Sequence, residues 1–258
     1  MERLKKSGSS GLTSNAVRTW GMLFLVAGIA GRSIIQNRLL GLGQMSSQAL
    51  LDALSASQTA MILATAALVL QAIETCAVPI FSFLLVEGFL HTRDWKKYLL
   101  RLAGIALLSE LPYNLAMSGS FWDTGSRNPV FALVVGLALM FFFRYYEAKA
   151  LKNTLIKLFV LIAGVLWTVM LRVDHGVTLV LLIAILWALR SRPQLRNLAG
   201  AVASVAFSIL SPFYVASPMG FLPVHLHNGE PGGENRLFNY LSYPVLLLAI
   251  GLIAKYLI

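Results

Sequence analysis

Glu87 and His91 stand four residues apart in FLLVEGFLHTR, residues 83–93. On a helix that spacing puts a carboxylate and an imidazole on one face. Such a pair serves general acid–base chemistry or, with Arg93, grips a polar ligand; it serves equally as a structural pair tied to a neighbouring helix. Glu110 and Asn114 in SELPYN repeat the spacing, and Pro112 between them frees a backbone carbonyl. This fits a substrate pocket and also a plain interhelical hydrogen bond. In GSRNP, Asn128 is placed to cap a helix opened by Pro129. Capping does not account for Arg127, whose planar fork suits an anion or a carboxylate. In LRVDHGV, Asp174 and His175 precede Gly176 at a tight turn. Histidine titrates near neutral pH and can take a proton from an attacking amine or hydroxyl; the plainer reading makes Asp174 a cap for the next helix. HLHNGEPGGE, residues 225–234, offers His225, His227, Glu230 and Glu234. Its irregular spacing and Gly/Pro content read as a solvated loop, and no metal site is expected. The chain has no Walker A loop, GxSxG elbow, HExxH or CxxC pair, which counts against a nucleotide-driven pump, a serine hydrolase, a zinc protease and a dithiol site.

The surroundings of these groups are unusually apolar. The 258 residues are 57% hydrophobic and 12% charged, whereas soluble domains average about 45–50% and about 25%. The expected fold is all-α: a polytopic membrane helical bundle of about eight spans, forming one domain over residues 1–258. An ionisable side chain inside a span costs about 2.5–3.5 kcal/mol and usually faces the bundle interior, so Glu74, Glu87, Glu110, Asp174 and His175 need partners there. The apolar runs lie at roughly 18–36, 59–91, 98–117, 129–144, 155–171, 177–190, 198–216 and 238–257. Pro79 is expected to kink or split the second run, and 44–58 reads as an interfacial amphipathic helix leading into it. Sixteen of the 21 Lys and Arg residues fall in segments 1–18, 92–101, 144–157 and 190–197 and at Lys255. By the positive-inside rule this places both termini in the cytoplasm and the long connection 217–237 outside. The basic excess thus belongs to membrane topology, and nucleic acid is not an expected partner. Cys76 is the one cysteine, so an intrachain disulfide is excluded.

The chain resembles the TraX family of bacterial inner-membrane proteins. The resemblance is carried by VPIFSFLLVEGFLHTRDWKKYLLRLAGIALLSELPYNLA (78–116), RNPVFALVVGLAL (127–139) and VDHGVTLVLLIAILW (173–187), with an echo in SYPVLLL (242–248). The founding member of that family is linked to acetylation of a pilin N-terminus. The resemblance therefore implies a multi-span acyltransferase of the bacterial inner membrane. It would carry an acetyl group from cytosolic acetyl-CoA to an amine or hydroxyl on a protein N-terminus, a small molecule or a glycan. Matched to the family motifs, Glu87, His91 and Arg93 are expected on the donor side. Glu110, Asn114, Arg127 and Asn128 are expected around the acceptor, with His175 as base oriented by Asp174 or Glu110. Many relatives carry Asp-His in the first span, where this chain has VAGIAG (26–31), and an Arg where it has Thr75. Two other classes remain open: a proton-linked transporter using Glu74, Glu87 and Glu110, and a non-catalytic membrane assembly partner.

Overall fold

The computed structural model describes residues 11–41, 57–148, 150–233 and 236–257. Apart from Ser57 and Gln58, the expected interfacial helix at 44–58 lies outside them. The helices are α1 (Ser14–Ala30, prolonged by a π-helical stretch, Gly31–Leu39), α2 (Gln58–Glu74), α3 (Ala77–His91), α4 (Trp95–Ser118), α5 (Val130–Tyr145), α6 (Leu151–Met170), α7 (Gly176–Ala188), α8 (Pro193–Ala206), the short α9 (Phe221–His225) and α10 (Arg236–Leu252). A 3₁₀ stretch, Pro212–Gly220, precedes α9. Among the described residues there is no strand, only two isolated bridges. Four helical segments are long and apolar enough to cross a membrane: Ser14–Leu39, Gln58–His91, Leu151–Met170 and Phe238–Leu257.

A helix that is apolar all round belongs inside a bundle. α3 and α7 are such helices: Ile80, Val86 and Phe89 of α3 and Val180, Leu182, Ile183 and Leu186 of α7 are fully enclosed. α6 is the opposite case. It buries only Gly164 and Thr168, while Phe159, Ile162, Leu166 and Met170 face outward, the surface that a bilayer would cover.

The long second run is split, as Pro79 leads one to expect, and the break falls at Thr75 and Cys76. There the bonds shorten to Thr75 N–H to the Ala72 carbonyl (3.2 Å) and Cys76 N–H to the Ile73 carbonyl (3.0 Å). The 3₁₀ stretch fills the gap. Thr75 Oγ1 donates to the Phe213 carbonyl (3.1 Å) and Cys76 Sγ to that of Ala216 (3.1 Å).

The expected topology needs one correction. The 198–216 run is not a single span followed by an outer loop. α8 ends at Ala206, and residues 207–228 run back along it: Phe221 packs on Gly200, and Arg196 lies over the Phe83 ring that His227 also meets. The return ends beside the start of α1, where Leu12 N–H donates to the Leu226 carbonyl (2.7 Å) and Asn228 N–H to that of Leu12 (2.9 Å). Hence residues 226–231, inside the expected outer connection, share an end of the bundle with the N-terminal segment. α10 then runs parallel to α4, from Tyr240 beside Arg101 to Gly251 against Leu115, and Lys255 sits over Phe121 at the far end. The C-terminal end of α10 is thus opposite the start of α1. Prolines at 212, 218 and 223 explain why the return is not one continuous α-helix.

Candidate functional site

Three breaks in regular helix meet in the middle of the bundle: the α2–α3 break, the π-helical stretch after α1, and the turn 171–175 between α6 and α7. The π stretch begins one residue before Arg32. Arg32 Nη2 donates to Glu74 Oε2 (2.9 Å), at the end of α2, and Nη1 to Asp174 Oδ2 (3.1 Å). Gly28 makes the approach possible: a Cβ there would stand 2.2 Å from Glu74 Cβ. Tyr113 of α4 also donates to Asp174 Oδ2 (3.0 Å). In the turn itself, Arg172 and His175 have φ of 53° and 54°. Left-handed backbone without glycine costs about 1–3 kcal/mol and clusters at functional sites.

The tautomer of His175 follows from its neighbours. Thr178 Oγ1 donates to the His175 carbonyl (2.8 Å), so towards Tyr214 it can only accept (2.9 Å). Tyr214 has then used its proton, and its oxygen accepts from His175 Nδ1 (2.6 Å). This is the one assignment that satisfies all three bonds. It puts a proton on Nδ1 and leaves Nε2 as the ring position that can gain or release one. Nε2 is enclosed, makes no hydrogen bond among the described residues, and lies 3.7 Å from Glu74 Oε1 and 3.9 Å from Asp174 Oδ1. Glu74, Asp174 and His175 bring ligand atoms within 4.8 Å of one another, but one oxygen of each carboxylate already faces Arg32. The guanidinium is the cation this cluster holds.

Two cavities reach the cluster from opposite ends. One, of about 250 Å³, opens among Arg18, Tyr98, Asn239 and Tyr240, has apolar walls that include Met22, Phe81 and Leu102, and ends at Glu74, His175 and Tyr243. The other, of about 350 Å³, is lined by Gln36, Asn37, Gln71, Ser211 and Phe213 and ends at Arg32, Asp174, His175 and Tyr214. Among the described residues, His175 alone lines both.

A family model described as TraX protein matches residues 57–254. The chain belongs to the TraX family. No curated protein and no solved structure matches it. The residues aligned by the TraX motifs sort into three places. Asp174 and His175 are at the cavity junction. Glu110, Arg127 and Asn128 form a latch beside it: Arg127 Nη1 donates to Glu110 Oε1 (2.8 Å), and Asn128 Nδ2 to Glu110 Oε2 (2.7 Å) and to the Ala106 carbonyl (2.9 Å). Asn128 Oδ1 also accepts from Val130 N–H (3.1 Å), which caps α5 as its position before Pro129 indicates. The latch fixes the turn, because Asp174 N–H donates to the Arg127 carbonyl and Arg127 N–H to that of Arg172 (both 2.9 Å). Glu110 therefore holds Asp174 in place through the backbone and does not reach His175; the ring is oriented by Tyr214. Asn114 lies outside both cavities and bonds the Phe121 carbonyl (3.3 Å).

Glu87, His91 and Arg93 are elsewhere. Glu87 points away from the wall that Phe81, Leu84 and Leu85 give the first cavity. It pairs with Arg196 (3.2 Å), and His91, largely exposed, lies 3.7 Å from it. Arg93 is exposed at the start of the basic loop. Reading the sequence missed Arg32, Tyr113, Tyr214 and Tyr243 as site residues. The only signal for Arg32 was a charge within reach of the first apolar run; the tyrosines carried none.

Proposed function

We propose that the chain is a membrane acyltransferase, in a bacterial inner membrane with its basic end toward the cytosol, that moves an acetyl group from acetyl-CoA to an acceptor entering from the other end. The observation that carries this reading is His175 at the junction of two cavities. A cytosolic thioester must reach a centre inside the bundle. Ten residues of α1 separate Arg18 from Gly28, about 15 Å of helix rise, and the slender acyl-pantetheine arm suits an apolar passage of that order. Arg18 and Arg101, with Arg93, Lys96 and Lys97 nearby, supply cations for the CoA phosphates.

In the transfer, the acceptor heteroatom attacks the thioester carbonyl while Nε2 of His175 takes its proton. Glu74 and Asp174 stabilise the imidazolium. The C–S bond breaks and Nε2–H returns the proton to the thiolate, giving the acylated acceptor and free CoA. Tyr243 Oη, enclosed at the end of the donor cavity without a hydrogen-bond partner among the described residues, is the candidate donor to the developing oxyanion.

The test is acetyl-CoA binding and thiol release by the full chain in lipid nanodiscs. Arg18→Ala and Arg101→Ala should weaken binding, and His175→Asn, which tolerates the left-handed backbone, should bind but not transfer. Absence of binding in the unmodified protein sinks the reading. Two cavities meeting at His175, with Glu74 at the end of the first, also fit a proton-linked transporter; proteoliposome uptake that fails in Glu74→Gln, with no thiol release, would favour it.

A further inference from the structure

We propose that the acceptor is a neutral polyhydroxylated molecule, a sugar, held in the second cavity and acylated on a hydroxyl. This rests on the acyltransferase reading and adds the acceptor's chemical class. The wall carries side-chain amides and hydroxyls, Gln36, Asn37, Gln71, Thr75 and Ser211, beside the apolar ring of Phe213. Gln71 Nε2 donates to Gln36 Oε1 (2.7 Å) and Asn37 Nδ2 to the Met117 carbonyl (2.9 Å). Those bonds leave Gln36 Nε2 as a donor and Gln71 Oε1 and Asn37 Oδ1 as acceptors with no bond among the described residues. A sugar hydroxyl donates and accepts at once and matches such a set. The volume, about 350 Å³, lies within the range of small-molecule sites, about 300–1,000 Å³.

Charge points the same way. Besides His175, the charged groups lining this cavity among the described residues are Arg32 and Asp174, and they are paired with each other at 3.1 Å. Among the described residues the wall carries no acid besides Asp174, so along the cavity an incoming ammonium would lose its hydration without a dedicated counter-ion. A neutral hydroxyl escapes that cost. It does need a base, because an alcohol attacks poorly until its proton is taken, and His175 Nε2 is turned to the same junction. The new bond is sugar oxygen to acyl carbon, the broken bond is C–S, and the hydroxyl proton passes through Nε2 to the sulfur. The products are a sugar ester and a free thiol.

The test uses the full chain in nanodiscs with acetyl-CoA and three probes: methyl glucoside, N-acetylglucosamine and an alanine tripeptide amide with a free amine. The expected result is thiol release stimulated by a sugar probe, with a product that hydroxylamine cleaves, as it does esters and not amides. Gln36→Ala and Gln71→Ala should each raise the half-saturating sugar concentration roughly tenfold, the effect of losing about 1.5 kcal/mol of hydrogen bonding, and acetyl-CoA binding reports that the variants fold. Stimulation by the tripeptide with a hydroxylamine-stable product overturns the proposal. So does acetyl-CoA binding with thiol release that neither sugar increases, an outcome that leaves the acyltransferase reading standing. Failure to bind acetyl-CoA removes both.

Discussion

Replacing Arg32 by Met separates the charge on this side chain from its bulk. The guanidinium faces Glu74, whose side chain is 7% exposed, and Asp174, at 23%. Removing one partner of a buried pair leaves a carboxylate without compensation and costs about 3–5 kcal/mol. Asp174 keeps Tyr113 and the His175 N–H, whereas Arg32 is the one hydrogen-bond partner of the Glu74 carboxylate among the described residues. Most of the loss should therefore be assigned to Glu74. It follows that Arg32→Met combined with Glu74→Gln should be less destabilised than Arg32→Met alone, by about 1–3 kcal/mol, since an amide is far cheaper to leave unpaired than a charge. The assay is equilibrium unfolding in mixed micelles, with labelling of the enclosed Cys76 thiol as the readout, completed as a double-mutant cycle. Additive losses, or a double variant worse than Arg32→Met, would refute the claim that Arg32 is there to neutralise Glu74.

Three further outcomes are expected. Tyr214→Phe should cost about 1 kcal/mol in stability yet sharply reduce transfer and let the His175 proton redistribute between its nitrogens; unchanged ¹⁵N imidazole shifts would count against the relay. Gly28→Ala should destabilise by about 1–3 kcal/mol through overpacking on Glu74, whereas Gly104→Ala, with nothing within 4 Å of the added carbon, should be neutral or stabilising by about 0.5–1 kcal/mol, both read by the same unfolding assay. Burial pushes the His227 imidazole below the usual histidine range, opposed by Glu87 and aided by Arg196 and His91. The native chain then binds fewer protons than the unfolded one just below the ordinary value of 6.5, so the clip between residues 11–14 and 226–230 is fully stable above that pH and weakens as pH falls through it. Amide exchange at Leu12 and Asn228 should quicken on acidification beyond the intrinsic rate, and a His227→Gln variant with the same pH response would contradict this assignment.

Local chemistry was legible in the sequence where partners are close along the chain. The spacing of Glu87 and His91 does bring them together, Asn128 does cap the helix after Pro129, and the VDHG turn does present an acid and an imidazole. Partners supplied from a distance were not legible. Arg32 lies 142 positions from Asp174, and Tyr214 lies 39 from His175; no periodicity links such residues. The return of 207–228 was hidden for a different reason. Its prolines make an apolar run look like a loop, and the charge count cannot detect the error, because the return brings Arg236 to the basic end and removes Lys255 from it. Within VAGIAG nothing in the residue pattern signals that Gly28 makes room for Glu74 to reach Arg32, or that Gly31 lies against Leu70 of α2.

The segment that carries Tyr214 also imposes an order on assembly. A chain made from its N-terminus has Arg32 and Glu74 together long before Asp174 exists, and Asp174 and His175 before Tyr214. Contacts that span so much chain form late. The early Arg32–Glu74 pair therefore spares the half-built bundle an uncompensated acid, while His175 receives its orienting partner only when residues 207–228 fold back. The His175 ring therefore lacks its orienting hydroxyl until the chain is made through Tyr214, and Tyr243 of α10 reaches the cluster later still.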